Sequence, residues 1–159
     1  MTDGDDPTAV DAPTDPYHDV WETRVRFAET DAQGVVFFGE YLTYLDETLA
    51  AFLEAVDYPY DQFVEEGWET HVVNVDVDYH GSAGFSDDLA CGLYVDAIGE
   101  SSVTFEWRCR HADAEGDEAL ASGTVTHVAV ATDGSGTVRV PDSFREAVLG
   151  FQSVAPDPV

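Results

Sequence analysis

Between Glu40 and Val56 the residues Tyr41, Leu42, Leu45, Leu49, Phe52, Leu53 and Val56 recur at three- and four-residue intervals, the spacing of an amphipathic helix. At about 3.6 residues per turn this stretch makes roughly five turns, and no other segment sustains that period for so long. Downstream of Gly67 the period becomes two: Val73, Val75, Val77 and Tyr79 alternate with Asn74, Asp76 and Asp78, the spacing of a strand. A helix with one wide apolar stripe must bury it, and the partner on offer is the sheet those strands form. The pattern predicts a two-layer α+β domain with the helix across one sheet face.

The remaining elements follow from the same two periods. Trp21, Thr23, Val25 and Phe27 fall on one side of a strand over Val20 to Phe27, with Glu22, Arg24 and Arg26 on the other. A polar loop follows from Ala28 to Gly34, then the apolar cluster Val35-Val36-Phe37-Phe38 and Gly39. Tyr58-Pro59 ends the long helix, because the residue before proline disfavours helical geometry, and Pro59 to Glu66 reads as one further short helical piece. Strands are expected over about Leu89 to Ile98, Ser102 to His111 and Leu120 to Ala131. They are separated by Gly99-Glu100-Ser101 and Ala114-Glu115-Gly116-Asp117, and the last ends in the turn Asp133-Gly134-Ser135-Gly136. Links this short require antiparallel neighbours. Ser143-Phe-Arg-Glu146 has the pattern of a capping box opening a short helix to about Leu149. The organisation expected is an acidic segment over residues 1–18 with Pro7, Pro13, Pro16 and little that is apolar, one domain over 19–150, and a tail over 151–159.

The surface of such a domain is strongly acidic, with 33 Asp and Glu against 6 Lys and Arg and a formal net charge of −27. High charge marks disorder only where hydrophobicity is low; here 44% hydrophobic residues, including three Trp, seven Tyr and nine Phe, suffice for a core. Every cation is Arg, Lys is absent, and twenty Asp outnumber thirteen Glu. Because the charges are spread along the chain rather than gathered in one block, they read as a solvated, halophile-like surface rather than a dock for a cationic partner. Six scattered Arg supply no basic track, which excludes nucleic-acid binding. No apolar run approaches the ~18 to 20 residues of a membrane span, and the first eighteen residues lack the cationic start and apolar centre of a signal peptide, so a cytoplasmic protein is expected. Cys91 and Cys109 form no Cys-x-x-Cys pair and read as buried structural residues.

The stretch Arg26-Phe-Ala-Glu-Thr-Asp-Ala-Gln-Gly-Val-Val-Phe-Phe-Gly-Glu-Tyr41 resembles the signature of hot-dog fold thioesterases of the 4-hydroxybenzoyl-CoA thioesterase class and the acyl-CoA thioesterases related to it. Gly84-Phe-Ser-Asp-Asp-Leu89, Ser102-Val103 and Val140-Pro-Asp-Ser-Phe-Arg145 resemble further motifs of that family, so the likeness covers about Val20 to Leu149. It implies a hot-dog fold, an antiparallel sheet wrapped around one long central helix, and hydrolysis of an acyl or aroyl thioester to free CoA and a carboxylic acid. It also implies Asp31 as the catalytic carboxylate and the backbone N–H of Phe38 as oxyanion donor. Residue chemistry agrees: Asp31 lies in a loop before a long helix, where free N–H groups and the positive dipole end can polarise a carbonyl, and Gly34 lets that loop turn. Asp31 would act as nucleophile or as general base for a water, and the sequence leaves both open.

Substrate contacts are expected from Tyr41, His71 and Phe85, with Phe63 and Trp68 as further aromatic candidates for the pocket wall. The benzoyl-type enzymes hold the CoA phosphates partly through basic residues where this chain has Gly99-Glu100-Ser101, which leaves Arg108 and Arg110 as candidates for that contact. Competing readings stand beside each. Asp31 could be a turn or capping aspartate, Tyr41 a core aromatic, His71 and His80 surface histidines, and Arg108 and Arg110 partners in strand ion pairs. Glu47 reads as a solvated helix residue. No His-Glu-x-x-His, phosphate-cradling loop or Gly-x-Ser-x-Gly elbow is present, so no metal or cofactor is expected beyond the CoA of the substrate. One sheet carrying one long helix leaves an edge and apolar surface uncovered, so a homodimer or homotetramer is expected. The reading from another class is a non-catalytic acyl-thioester binding protein, since fold does not fix function.

Overall fold

Hairpin-length links dictate most of the topology. The computed structural model describes residues 15–116 and 118–159; the acidic segment expected at the N-terminus lies, over residues 1–14, outside them. The elements run β1 (His18–Arg24), a 3-10 turn (Phe27–Glu29), α1 (Glu40–Ala55), α2 (Tyr60–Glu66), β2 (Trp68–Tyr79), β3 (Asp88–Ile98), β4 (Ser102–His111), β5 (Ala121–Ala131), α3 (Asp142–Phe151) and β6 (Asp157–Pro158). The sheet order is β1-β3-β4-β5-β2. All those neighbours are antiparallel, and the short β6 adds a parallel pairing to β3 at Ala97 and Ile98.

The alternation of each strand sorts its side chains between two faces. Leu89, Cys91, Leu93 and Val95 of β3, Val103, Phe105, Trp107 and Cys109 of β4, and Ala121, Val125 and Ala129 of β5 are buried together with Tyr41, Tyr44, Leu45, Leu49 and Phe52 of α1. Phe52 meets the Phe105 ring edge-on at 6.4 Å, and Trp107 Nε1 donates to Thr48 Oγ1 at 3.1 Å, which satisfies the indole inside the core. Each such large side chain contributes roughly 1.5–3 kcal/mol on burial. Gly123 of β5 lies opposite Val77, and a Cβ there would sit 2.0 Å from the Asp76 carbonyl oxygen; β2 passes too close for any side chain.

Among the described residues there are three α-helices, of which α1 lies against β1, β3 and β4 and α2 against β2. Tyr58, Phe63 of α2, Trp68 of β2 and Phe144 of α3 form a second buried aromatic group, with Tyr58 and Phe144 rings 5.3 Å apart. Phe63 and Trp68 are thus core residues. Among the described residues no helix is long and apolar enough to cross a membrane.

Several expectations need correction. The first strand ends at Arg24, because Val25 N–H turns to the Asp87 carbonyl (2.9 Å) and the chain enters the 3-10 turn; Phe27, expected as a strand residue on the side of Trp21 and Val25, lies in that turn and is 77% exposed. α3 opens at Asp142 with Pro141 as N-cap and no side-chain cap, and Ser143 Oγ pairs instead with Tyr58 Oη at 3.1 Å. α3 also continues to Phe151. The Gln152 side chain then accepts from Val95 N–H at 2.5 Å and donates to Val95 O at 3.0 Å.

Candidate active site

The loop between β1 and α1 folds into a narrow hairpin. Asp31 N–H donates to Val35 O (2.8 Å) and Phe37 N–H to Glu29 O (2.9 Å), with Thr30 bridged to Val36. Its turn closes through Gly34 N–H to Asp31 O at 3.0 Å. Gly34 has φ +79°, a left-handed conformation that a side chain would strain. Asp31 is half-buried; its Oδ1 accepts from Gln33 N–H at 2.8 Å, an Asx turn, and lies 3.5 Å from Val35 N. No donor among the described residues bonds its Oδ2.

Two anchors hold the hairpin. On one side Val36 N–H donates to Ala83 O (2.8 Å), while Gly84 N–H bonds Asp87 Oδ2 (2.8 Å), which ties the loop to the turn before β3. On the other, the Glu29 carboxylate is buried and accepts from Arg26 N–H at 2.8 Å and Arg26 Nη2 at 3.2 Å. Burial alone would raise its pKa, but the Arg26 amide and guanidinium outweigh that and hold it below the usual carboxylate range.

The hairpin delivers the chain to the head of α1. There Phe38 is 65% exposed and Gly39 is the N-cap. Phe38 and Gly39 N–H groups have no acceptor among the described residues, as expected where a helix begins. The Phe38 carbonyl accepts from Tyr79 Oη of β2 at 2.9 Å, and the Tyr79 ring meets the Tyr41 ring at 5.6 Å. Tyr41 itself is 2% exposed; burial pushes its phenol up to about 12, so it stays protonated at neutral pH. A loop carboxylate, free amides at a helix head and exposed aromatics beside them are the parts of a site for polarising and attacking a carbonyl.

Of the residues singled out in the sequence, Asp31 and Gly34 lie in this hairpin, and Phe38 and Tyr41 lie where it runs into the head of α1. Phe85 lies in the adjoining turn, exposed, with its ring 6.0 Å from Phe27. His71 is opposite Val128 on the sheet face away from α1, 3.2 Å from Glu69 Oε1. His80 pairs with Ser122 Oγ at 2.8 Å, and Glu47 is exposed on α1. Arg108 and Arg110 also point away from α1. Arg108, 6% exposed, bonds Asp15 Oδ2 at 2.8 Å and lies 4.4 Å from the Tyr17 ring centre; Arg110 pairs with Asp19. Glu29 and Tyr79 carry no site role in the sequence reading, which has Glu29 only as part of the motif and Tyr79 only as a strand residue. Glu29 lies inside the motif itself, and the alternation of β2 places Tyr79 on the same face as Val75 and Val77.

The fold and this loop define a class, a sheet-and-helix protein with a carboxylate hairpin at a helix head, and comparison with known proteins gives the class its family. The chain belongs to the thioesterase-like superfamily, whose family model matches residues 25–148. An Aquifex aeolicus protein with a provisional esterase name is 28% identical over 88 residues, 55% of this chain and 69% of that one. A hypothetical protein of Aquifex aeolicus of known structure has a TM-score of 0.71 at 26% identity, covering 80% of this chain and 97% of its own. A 1,4-dihydroxy-2-naphthoyl-CoA thioesterase from Synechocystis shares the fold at a TM-score of 0.72, with 21% identity over 81% of this chain and 93% of its own.

Proposed function

We propose that this protein is an acyl-CoA thioesterase that hydrolyses an acyl or aroyl thioester to free CoA and a carboxylic acid. The observation that carries the proposal is the hairpin that presents the Asp31 carboxylate at its turn and runs on into the unpaired amides at the head of α1. With Oδ1 held by Gln33, Oδ2 is left to attack the thioester carbon or to take a proton from the water that does. The carbonyl oxygen, as it becomes an oxyanion, accepts from Phe38 N–H. A preorganised donor of this kind contributes roughly 3 kcal/mol. The leaving thiolate departs as CoA and, in either route, water supplies the second oxygen of the acid. The Synechocystis enzyme acts on an aroyl-CoA, and the exposed Phe37 and Phe38 suit an acyl group of that apolar kind.

Two further features belong to the proposal. β2 is a twelve-residue strand at one end of the sheet order and exposes Val72, Val73 and Val75. An open apolar edge of that length calls for pairing, so a second copy is assigned to it, in a homodimer or a pair of such dimers. Coenzyme A is anionic and the chain carries −27, so activity needs salt; the screening length falls to ~3 Å at 1 M, the condition a halophilic cytoplasm supplies.

The test is thiol release from short, long and aromatic acyl-CoAs in molar KCl, with wild type and Asp31→Asn side by side. Turnover in the wild type that falls at least about a thousandfold in the variant, with the circular dichroism unchanged, supports the assignment. Folded wild type that binds acyl-CoA and releases no thiol overturns it in favour of a binding protein.

A further inference from the structure

We propose that Tyr79 is a positioning residue for this site: its phenol, at the end of the β2 edge strand, holds the Phe38 carbonyl and so fixes the amides at the head of α1. The inference rests on the thioesterase reading and adds a residue to it from an element 41 positions away.

The geometry at the helix head makes the role specific. Glu40 N–H donates to Phe37 O at 2.9 Å and Leu42 N–H to Gly39 O at 3.1 Å. The Phe38 carbonyl between them has no backbone donor among the described residues. Its hydrogen bond comes from Tyr79 Oη at 2.9 Å. That bond sets the plane of the Phe38–Gly39 peptide and so the direction of the Gly39 N–H, and it anchors from its carbonyl side the residue that carries the Phe38 N–H. Donation to a peptide oxygen also strengthens the N–H of the same peptide as a donor, here that of Gly39. Without the phenol the Phe38–Gly39 segment would have to find a water, and Phe38, already largely exposed, would lose its tie to the sheet.

The same contact lends itself to a clean substitution. The Tyr79 ring is held separately by its edge-on contact with Tyr41 at 5.6 Å, so Tyr79→Phe removes the hydroxyl and leaves the packing. A donor aimed at an oxyanion acts more strongly in the transition state than on bound thioester. Loosening it therefore lowers kcat and leaves KM in place.

The experiment compares wild type, Tyr79→Phe and Asp31→Asn, all full-length, on the acyl-CoA that turns over fastest. The expected result is a kcat about tenfold lower in Tyr79→Phe with KM within about twofold, an unchanged melting midpoint, and displaced amide NMR signals for Phe38 and Gly39. Tyr79→Phe with wild-type kcat while Asp31→Asn is dead overturns the role of Tyr79 and leaves the thioesterase standing. A raised KM with unchanged kcat also overturns it, by making Tyr79 part of the pocket wall. Wild type silent on every thioester overturns both.

Discussion

Glu106 of β4 points to the sheet face away from α1, between Tyr94 of β3 and Thr124 of β5. Burial, with Asp96 nearby as a second cause, pushes its carboxyl from the ordinary 4.5 up to about 7. Below about pH 4.5 the group is neutral in folded and unfolded chains alike, and its position costs nothing. Between 4.5 and 7 the folded chain binds the extra proton, so stability falls as pH rises, and above 7 the full penalty is present. Glu106→Gln imitates the neutral form. Its half-exposed site screens much of the effect, so the variant should raise the melting midpoint at pH 8 by about 2–4 °C and lose that advantage at pH 5. An equal gain at both pH values would show that charge is not the cause. Cys91 and Cys109, opposite one another and fully buried, behave differently: the neighbouring thiol and burial push Cys109 far up, which leaves both as apolar packing.

The elements differ in how openly the sequence displays them. α1 and β3 to β5 are written in long hydrophobic periods, because each buries one whole face and every second or third residue must conform. Phe27 and Ser143 misled because the decisive contacts were non-local: the Asp87 carbonyl that ends β1, and the Tyr58 hydroxyl that takes Ser143 away from capping. Gln152 was illegible for the same reason. Its amide stands in for a strand residue on the outer edge of β3, between the segment paired with β1 and the residues paired with β6. Gln152→Ala removes both bonds and leaves the Val95 peptide groups unpaired. That should cost about 1–3 kcal/mol in chemical denaturation, and an unchanged midpoint would mean that water replaces the amide freely. β3 is thus covered along this side by β1, Gln152 and β6 in turn, and the sheet order ends in the short β1 at one side and the longer β2 at the other.

At the scale of the whole molecule, charge and the proposed edge pairing oppose each other. Two copies at −27 each repel, and the proposed pairing along β2 would bury apolar surface against that repulsion, so salt should decide the balance. Sedimentation in 1 M KCl is expected to give a dimer or larger, and dilution to about 0.05 M KCl a monomer, as the screening length grows several-fold; a mass independent of salt would remove the proposed edge pairing or the role of charge in it. The candidate site was legible in the sequence only where one short stretch carries it. Asp31, Gly34 and Phe38 lie within eight residues of each other, whereas Tyr79 joins them through the register of β2 and no local pattern announces it. That register passes through Gly123, where the backbone of β2 leaves no room for a Cβ. Val77 lies opposite Gly123 and Tyr79 two residues beyond. Evolutionary drift at position 123 is therefore coupled to position 79: a descendant that acquires even an alanine there must shift β2 outward and either lengthen its reach to the loop or give up the phenol.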